Sequence, residues 1–370
     1  MTKDNADIAD LRERLTAIDH RILQLAAERQ GLVEQIGRDK RSRGQQTRDF
    51  RREKEVIDGA VAVGRDLGLP ADMIETLMTL LIRSSLTTQE LHRVVAEGRG
   101  DGRTALIIGG GGRMGRWFAD FLDSQGYGVS IADSSGAGEP YPSRRDWREG
   151  DLDEDLIVVA APLVASGQIL EELARLRPRG LVFDIGSLKT PLRAGLAALA
   201  AAGCRVTSLH PMFGPDTRLL SGRHVIIVDA GCAEANQEAA ALFEATMAER
   251  VEMSLEEHDR LMAFVLGLSH ALNIAFFTAL ADSGEDVPHL AALSSTTFDA
   301  QLDVCSKVAA ENPELYFEIQ SLNAHGPEAL QALEASVARL NQTIRSRDQA
   351  GFVALMDRGR DYLARRRAGQ

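Results

Sequence analysis

The sequence predicts a multidomain α and α/β chain, with a helical module, then an α/β module, then a second helical module. Three observations carry this. Apolar residues over 1–95 recur at helical spacing and nowhere alternate like a strand. After a glycine-rich break, short apolar runs of buried-strand type alternate with helical patterns. From about residue 234 the chain reads as helix only. At 370 residues it exceeds one ordinary domain. The expected boundaries are 1–96 (all-helical), 97–103 (linker), 104–232 (α/β) and 233–370 (all-helical).

Each element has a local reason. Ile8, Leu11, Leu15, Ile18, Ile22, Leu25, Val33 and Ile36 fall at i, i+3/i+4, i+7, with no glycine before Gly31 and no proline, so one long helix is implied. A basic polar stretch from Arg38 to Lys54 follows it. Helical patterns return over 50–66 and 71–93, parted by Leu69-Pro70, where the proline suits a helix start. The segment from Glu97 to Gly102, EGRGDG, reads as a linker. Strand-like runs then stand at 104–109, 129–132, 156–160, 181–185, 206–209 and 225–228, with helical segments between several of them. That alternation predicts a parallel sheet covered on both faces. A long apolar run from Met262 to Leu280 and an amphipathic tail over 327–366 complete the chain.

Composition excludes several classes. With 44% hydrophobic and 26% charged residues the chain is globular, which rules out disorder, collagen and a disulfide miniprotein. Basic and acidic residues balance over 1–100, so the net charge of −12 comes from 101–370. Nucleic-acid binding, which needs a basic surface, is not expected. Three cysteines (Cys204, Cys232, Cys305) without CxxC spacing argue for a reducing cytoplasm and no structural zinc, and no metal site is expected. The N-terminus lacks a secretory layout. Ser269, His270, Asn273 and Thr278 interrupt the apolar run at 262–280, so a helix buried in a protein core is expected rather than a membrane span.

Gly110, Gly111, Gly112, Arg113, Met114 and Gly115 fit G-x-G-x-x-G between a strand that ends at Ile108 and a helix that starts at once. Such glycines allow a tight turn, close approach of a pyrophosphate and close helix–strand packing, while the helix N-terminus offers free N–H groups to phosphate. Asp133 closes the second strand, where a carboxylate accepts from a ribose 2′-hydroxyl. Ser134 and Ser135 follow it rather than arginine, which favours NAD over NADP. Pro162, just after the run at 156–160, is taken as a further cofactor-site residue.

A hydride acceptor implies a donor and a base. His210, in LHPMFGP, ends a strand on the side where open α/β sheets bind ligands. Ser187 and Lys189, in DIGSLK, end the preceding strand toward the same crevice. His258 and His270 lie 12 residues apart, about 18 Å along a straight helix, too far to share a ligand unless the segment bends. A core histidine satisfied by hydrogen bonds is the bland alternative for either, and the preferred reading for His20, His92, His224, His289 and His325.

In the helical module a solvated polar face is the default reading of the basic stretch 38–54. Two details point further. Arg29 interrupts the apolar seam of the first helix, where a buried guanidinium calls for an anionic partner. Ser85 and Gln89 stand four apart on one face of the last helix. Arg29 and Lys40, 11 residues apart, point the same way. Arg12 lies 17 residues before Arg29, about 26 Å distant, so the two meet one small dianion only if Arg12 enters from a second chain. An intertwined homodimer is expected on that ground.

These motifs carry two family resemblances. Residues 8–93 resemble the all-helical chorismate mutases through LRERL (Arg12), AER (Arg29), GRDK (Lys40), RDFRRE (Asp49, Arg52, Glu53) and SSLTTQ (Ser85, Gln89). Residues 104–366 resemble prephenate dehydrogenase through GGGGRMG, DIGSLK, LHPMFGP and EHDRLMAF. Nearly the whole chain is thus similar to the bifunctional mutase–dehydrogenases of tyrosine biosynthesis. The first resemblance implies that Arg12 of a partner chain, Arg29 and Lys40 hold the carboxylates and ether oxygen of chorismate. Glu53 and Gln89 would complete the ether and hydroxyl contacts, while Ser85, Asp49 and Arg52 would hold the substrate or the shape of the site. The second implies a Rossmann-type NAD domain and a C-terminal all-helical dimerisation domain. It also implies His210 as the base toward the ring hydroxyl of prephenate, Ser187 as its support, His258 and His270 near the substrate, and tyrosine as a feedback inhibitor.

One departure bears on substrate. Where relatives carry an arginine that clamps the ring carboxylate of prephenate, this chain has Lys307, and at another arginine position, eight residues earlier, it has Asp299. Lysine keeps the charge but loses the bidentate geometry. Weaker prephenate binding, a shifted register or a modified substrate such as 4-amino-4-deoxyprephenate would each accommodate this. A further alternative is that one half serves as a regulatory ligand-binding module.

Overall fold

The computed structural model describes residues 2–136, 138–286, 289–290 and 293–368. Helices α1 (Thr2–Ser42), α2 (Phe50–Asp66) and α3 (Ala71–Ala96) form the first module. α2 starts where Asp49 caps it, accepting from the Arg52 amide at 3.0 Å, and it ends in a turn at Leu67-Gly68, with φ +73° at the glycine. Pro70, immediately before α3, occupies the N-cap with extended backbone.

The α/β module follows as β1 (Thr104–Ile108), α4 (Arg113–Ser124), β2 (Gly128–Ala132), β3 (Ser143–Arg144), β4 (Leu156–Val159), α5 (Leu163–Leu176), β5 (Leu181–Asp184), α6 (Arg193–Ala201), β6 (Val206–Pro211), β7 (His224–Asp229), α7 (Ala233–Ala241) and β8 (Glu249–Ser254). The eight strands lie in the order β3-β2-β1-β4-β5-β6-β7-β8. All neighbours are parallel except β6 and β7, which run antiparallel. Strand order reverses between β1 and β4, and this switch point opens a crevice at the carboxyl ends of the strands. Successive strand residues feed opposite cores. Ala105, Ile107, Val129 and Ile131 pack with Phe118, Phe121 and Phe243 on one face, while Leu106, Ile108, Ile157 and Val159 pack with Leu170, Leu192 and Leu196 on the other. Each fully buried aliphatic side chain contributes about 1.5–3 kcal/mol.

β8 corrects the expected boundary at 232. The chain is not helical throughout beyond 234, because β8 pairs in parallel with β7 and extends the sheet to Ser254. Its sequence, ERVEMS, is largely exposed. It is an edge strand, held by backbone pairing rather than by an apolar run, so it carries no hydrophobic signature.

The third module contains α8 (Leu255–Met262), a π-helical turn (Ala263–Leu268), α9 (Ser269–Asp282), α10 (Thr296–Ala309), α11 (Pro313–Ser321), α12 (Gly326–Arg345) and α13 (Gln349–Ala368). The stretch Leu255–Asp282 is long and apolar enough to cross a membrane. The elements of one chain do not bury it as the sequence suggests: Phe264, Val265 and Leu272 are about half exposed, at 47, 50 and 48%. Periodicity records which residues are apolar and says nothing of what covers them.

The segment 97–103 is not a free spacer. The Gly100 amide donates to Gln125 O at 2.9 Å, and a Cβ at Gly100 would lie 2.2 Å from the Gly126 carbonyl carbon, so only glycine permits this approach. Val94 of α3 joins the Phe118/Phe243 core. The first module is therefore seated on the α/β module.

Candidate functional site

In the helical module α3 supplies Ser85 and Gln89, both buried, facing α1. Arg29 donates from Nη1 to Leu81 O at 3.0 Å and to Ser85 Oγ at 2.5 Å. Both acceptors are neutral, so the anionic partner expected for Arg29 is not supplied by the described residues of this chain. Gln89 packs against α1 at Gly37, where a Cβ would lie 3.1 Å from Gln89 Cγ, and Gln89 Oε1 is buried without a partner among the described residues. Lys40 Nζ donates to Thr47 O at 2.9 Å, folding the basic stretch back onto the end of α1. Glu53 faces inward from α2 and is gripped by Arg48 through two bonds, Nε to Oε1 at 2.9 Å and Nη2 to Oε2 at 3.0 Å. Asp49 caps α2, and the Arg52 amide holds its carboxyl below the ordinary range. Arg52 points outward and pairs with Glu55. Arg12 is exposed on the same unbroken helix as Arg29 and stands apart from this cluster.

The glycine turn between β1 and α4 is shaped as a cradle. A Cβ on Gly115 would sit 2.3 Å from Gly109 O, so the third glycine lets α4 press onto β1. Gly112 is the N-cap of α4 with no side-chain cap, which leaves amides of the first turn free for phosphate. Asp133 Oδ2 accepts from the Gly111 amide at 3.0 Å, and its Oδ1 accepts from Ser135 N and Oγ at 3.0 and 2.6 Å. The carboxylate is thus fixed at the end of β2 beside the turn. Arg113 leaves the turn to pair with Asp216 at 2.7 Å, and Met114 packs inward on the core. Pro162 stands exposed at the N-cap of α5, whose Leu163 amide is met by Glu318 of α11 at 3.2 Å. These features fit a bound dinucleotide.

At the end of β6, His210 is 6% exposed and its Nδ1 lies 2.9 Å from His258 Nε2. His258 is fully buried, and its Nδ1 lies 2.8 Å from Asp259 Oδ1. Asp259 accepts as well from the amides of Lys189 (2.8 Å) and Thr190 (2.5 Å) and from Thr190 Oγ1 (2.5 Å). That carboxylate is held below the ordinary range by these donors against the opposing effect of burial. Burial, then the repulsion a second positive charge would meet beside His258 and Lys189, pushes His210 well down from the usual imidazole value, and burial lowers His258 as well. Both rings are therefore neutral near pH 7 and the tautomers follow. Asp259 can only accept, so His258 Nδ1 carries a proton and its Nε2 a lone pair. His210 Nδ1 must then donate, which leaves the lone pair on His210 Nε2. That atom has no hydrogen-bond partner among the described residues.

Lys189 is completely buried. Its ammonium donates to Asp184 Oδ1, Gly186 O and Leu209 O at 2.8, 2.7 and 2.8 Å. With three bonds made it has no donor left for a ligand, so it ties the end of β5 to the residue before His210. Removing one member of such a buried pair costs about 3–5 kcal/mol. Ser187 Oγ is buried in the same turn and has no partner among the described residues. His270 stacks on Tyr316 at 4.1 Å, with Nδ1 buried and without a partner among the described residues and its pKa lowered by burial. The π turn separates it from His258, and the carbonyl of Gly267 in that turn accepts from Gln320 Nε2 at 2.9 Å. His258 and His270 do not meet as a pair: His258 stands behind His210, and His270 lies outside that chain of bonds. Lys307 is exposed on α10 and forms no ion pair among the described residues.

Three family models match. Chorismate mutase type II covers residues 11–90. The nucleotide-binding domain of prephenate dehydrogenase covers 144–251, and the dimerization domain of prephenate dehydrogenase covers 254–358. The boundary between the last two agrees with the end of β8 rather than with 232. A 4-amino-4-deoxyprephenate dehydrogenase from Streptomyces pristinaespiralis is 32% identical over 70% of this chain and 90% of its own length. The chain belongs to the prephenate dehydrogenase family. In front of that family's two domains it carries a chorismate mutase module. The T-protein of Enterobacter agglomerans is 29% identical over 85% of this chain and 82% of its own. Among solved structures, the prephenate dehydrogenase of Aquifex aeolicus superposes with a TM-score of 0.55 at 19% identity, over 70% of this chain and 99% of that one. That likeness concerns the fold.

Sequence reasoning missed Asp259 and Arg48. Asp259 follows His258 directly, so the pair His-Asp was visible, but nothing in spacing told that β6 would bring His210 onto its far side. Of the five histidines read as buried core residues, His20, His224 and His289 are exposed, while His92 and His325 are half-buried. His224 and His325 pair with Glu249 and Glu256, polar partners on a neighbouring strand and a neighbouring helix, which no apolar periodicity marks.

Proposed function

We propose that this chain is a bifunctional enzyme of tyrosine biosynthesis. It rearranges chorismate to prephenate in its first module and oxidatively decarboxylates prephenate with NAD to 4-hydroxyphenylpyruvate in the rest. The carrying observation is that each site lacks one partner of the chemistry it would perform. Arg29 has only neutral acceptors where an anion belongs, and His210 presents an unshared lone pair backed by a histidine and a carboxylate.

The rearrangement is pericyclic and needs neither nucleophile nor proton transfer. The site must hold the diaxial conformer and stabilise charge growing on the breaking ether oxygen. Arg29 and Lys40 bind carboxylate. Gln89, its carboxamide oriented to offer N–H, donates toward the ether oxygen. Glu53 takes the ring hydroxyl, while Ser85 steadies Arg29 and Asp49 and Arg52 shape the rim. Arg12 enters from a second copy. A homodimer is supported by the half-exposed apolar row of α1, with Ile8, Leu11, Leu15, Ile18, Ile22 and Leu25 all 47–59% exposed, and by the open face of α8–α9.

In the dehydrogenase half, NAD supplies the hydride acceptor. His210 Nε2 draws the proton from the ring 4-hydroxyl, and the imidazolium that results is balanced through His258 by Asp259. This is the logic of a serine-protease triad carried through one more ring. Loss of carbon dioxide aromatises the ring and makes the step downhill. Ser187 Oγ and His270 Nδ1, buried without a partner among the described residues, are free to meet the ligand. Asp133 sets the preference for NAD, and Asp133→Ser should raise the KM for NAD about tenfold and admit NADP, measured as initial rates with each cofactor. Because both imidazoles are pushed down, dehydrogenase kcat/KM should stay level from pH 8 to below the ordinary histidine value of about 6.5, falling only in more acid solution as His210 takes up a proton. An acid limb centred above 6.5 would contradict this assignment. Feedback inhibition by tyrosine, which resembles the product, belongs to the same reading. So does a cytoplasmic location, in keeping with three free cysteines.

The test is nicotinamide reduction, followed by absorbance after adding NAD and either chorismate or prephenate. Signal from both starts is expected. Chorismate loss without NADH from either start would sink the dehydrogenase assignment. A second reading, with 4-amino-4-deoxyprephenate as substrate of the dehydrogenase half, is favoured by Lys307 at the expected arginine position and by the Streptomyces relative. Under the first reading Lys307→Arg should raise kcat/KM for prephenate several-fold through a bidentate clamp. No gain, together with turnover of the amino analogue, would favour the second.

A further inference from the structure

The mutase residue Glu53 is held by a contact that begins in the other half of the chain. Its two carboxylate oxygens are both engaged by Arg48, whose guanidinium also lies 4.0 Å over the ring of Phe50. The remaining arm, Nη1, donates to Ser221 Oγ at 2.6 Å. Ser221 lies in the segment that leads from His210 and β6 to β7, and so belongs to the dehydrogenase half. The residue before it docks on the mutase as well. The Leu220 amide donates to Glu90 at 2.8 Å, and the same buried carboxylate accepts from the Met247 amide at 2.5 Å. Glu90 adjoins Gln89, and burial raises its pKa despite the two amides. Leu220–Ser221 thus touches the mutase at two points, each one bond or one residue from a group assigned to chorismate.

We propose that Ser221, acting through Arg48, is a positioning residue for the mutase reaction, so that the dehydrogenase half completes the mutase site. A guanidinium with two arms on Glu53 can still swing about its own stem. The Ser221 hydroxyl together with the Phe50 ring fixes its plane, and with it the orientation of the Glu53 carboxylate. The carboxylate clamp Arg29 is anchored on α3, and Lys40 meets only the main-chain carbonyl of Thr47 beside Arg48, so substrate binding should survive loss of the Ser221 hydroxyl while transition-state geometry does not.

This inference rests on the mutase reading above, and the experiment separates the two. Full-length chain and its variants are assayed for chorismate loss and, separately, for NADH formation from prephenate. Ser221→Ala should lower mutase kcat about 3- to 10-fold with KM for chorismate within twofold. Ser221→Thr, which keeps the hydroxyl, should restore it. Arg48→Ala should lower mutase kcat about 30-fold or more, and Arg48→Lys should recover only part. Dehydrogenase rates should stay within twofold throughout, which also reports that the chain has folded. Wild-type mutase turnover matched by Ser221→Ala would overturn the inference alone. So would parallel loss of both activities in Ser221→Ala, or a loss that Thr does not rescue. A wild-type chain inert toward chorismate would overturn the mutase reading itself.

Discussion

His210→Asn should lower dehydrogenase kcat by about three orders of magnitude while chorismate turnover by the same chain stays within twofold. General-base catalysis is worth about 10²–10⁴ in rate, and here the base is tuned by two groups behind it. Asparagine keeps a hydrogen-bonding group of similar reach but cannot take a proton. Steady-state rates with prephenate and NAD give the loss, and titration of NAD fluorescence quenching should show cofactor affinity unchanged. Asp259→Asn should fall between wild type and His210→Asn. It keeps the shape but lets His258 adopt the wrong tautomer, so that His210 Nδ1 loses its acceptor. A fall of less than tenfold for His210→Asn would mean that the base lies elsewhere.

Arg29→Ala should reduce mutase kcat/KM by about 10²–10³ and leave NADH formation from prephenate intact. A preorganised cation that holds the substrate carboxylate, and with it the reactive conformer, accounts for a loss of that size. Arg29 is anchored by Ser85 Oγ and Leu81 O without being neutralised, which is what preorganisation requires. Chorismate consumption by the variant, compared with NADH formation from added prephenate, decides the matter. Surviving mutase turnover would show that the α1–α3 cluster is not the site.

Much of the site could be read without coordinates because its signals are local. The glycine turn, Asp133 after β2 and His210 at the end of β6 each sit at a fixed offset from a strand end, and strand ends are marked by apolar runs. The cluster Arg29, Lys40, Ser85 and Gln89 lies on helices whose periodicity fixes the facing side. The parts not legible depend on contacts between distant segments. Asp259 backs His210 only because α8 leaves β8 beneath the end of β6. Arg48 meets Ser221, 173 positions later in the chain, only because the first module sits on the α/β module. The edge strand β8 escaped because backbone pairing, not side-chain pattern, makes it.

The sequence by itself therefore determined the three-part layout, the alternation of strands with helices and the identity of most reactive groups, since these follow from nearest-neighbour sterics and from burial periodicity within one element. Only the tertiary structure decided that His258 stands behind His210, which tautomer each holds, that Lys189 spends all three of its donors internally, and that the two halves share a buried seam. Those properties arise from hydrogen bonds and desolvation between segments far apart in the chain, and a one-dimensional pattern carries no record of them.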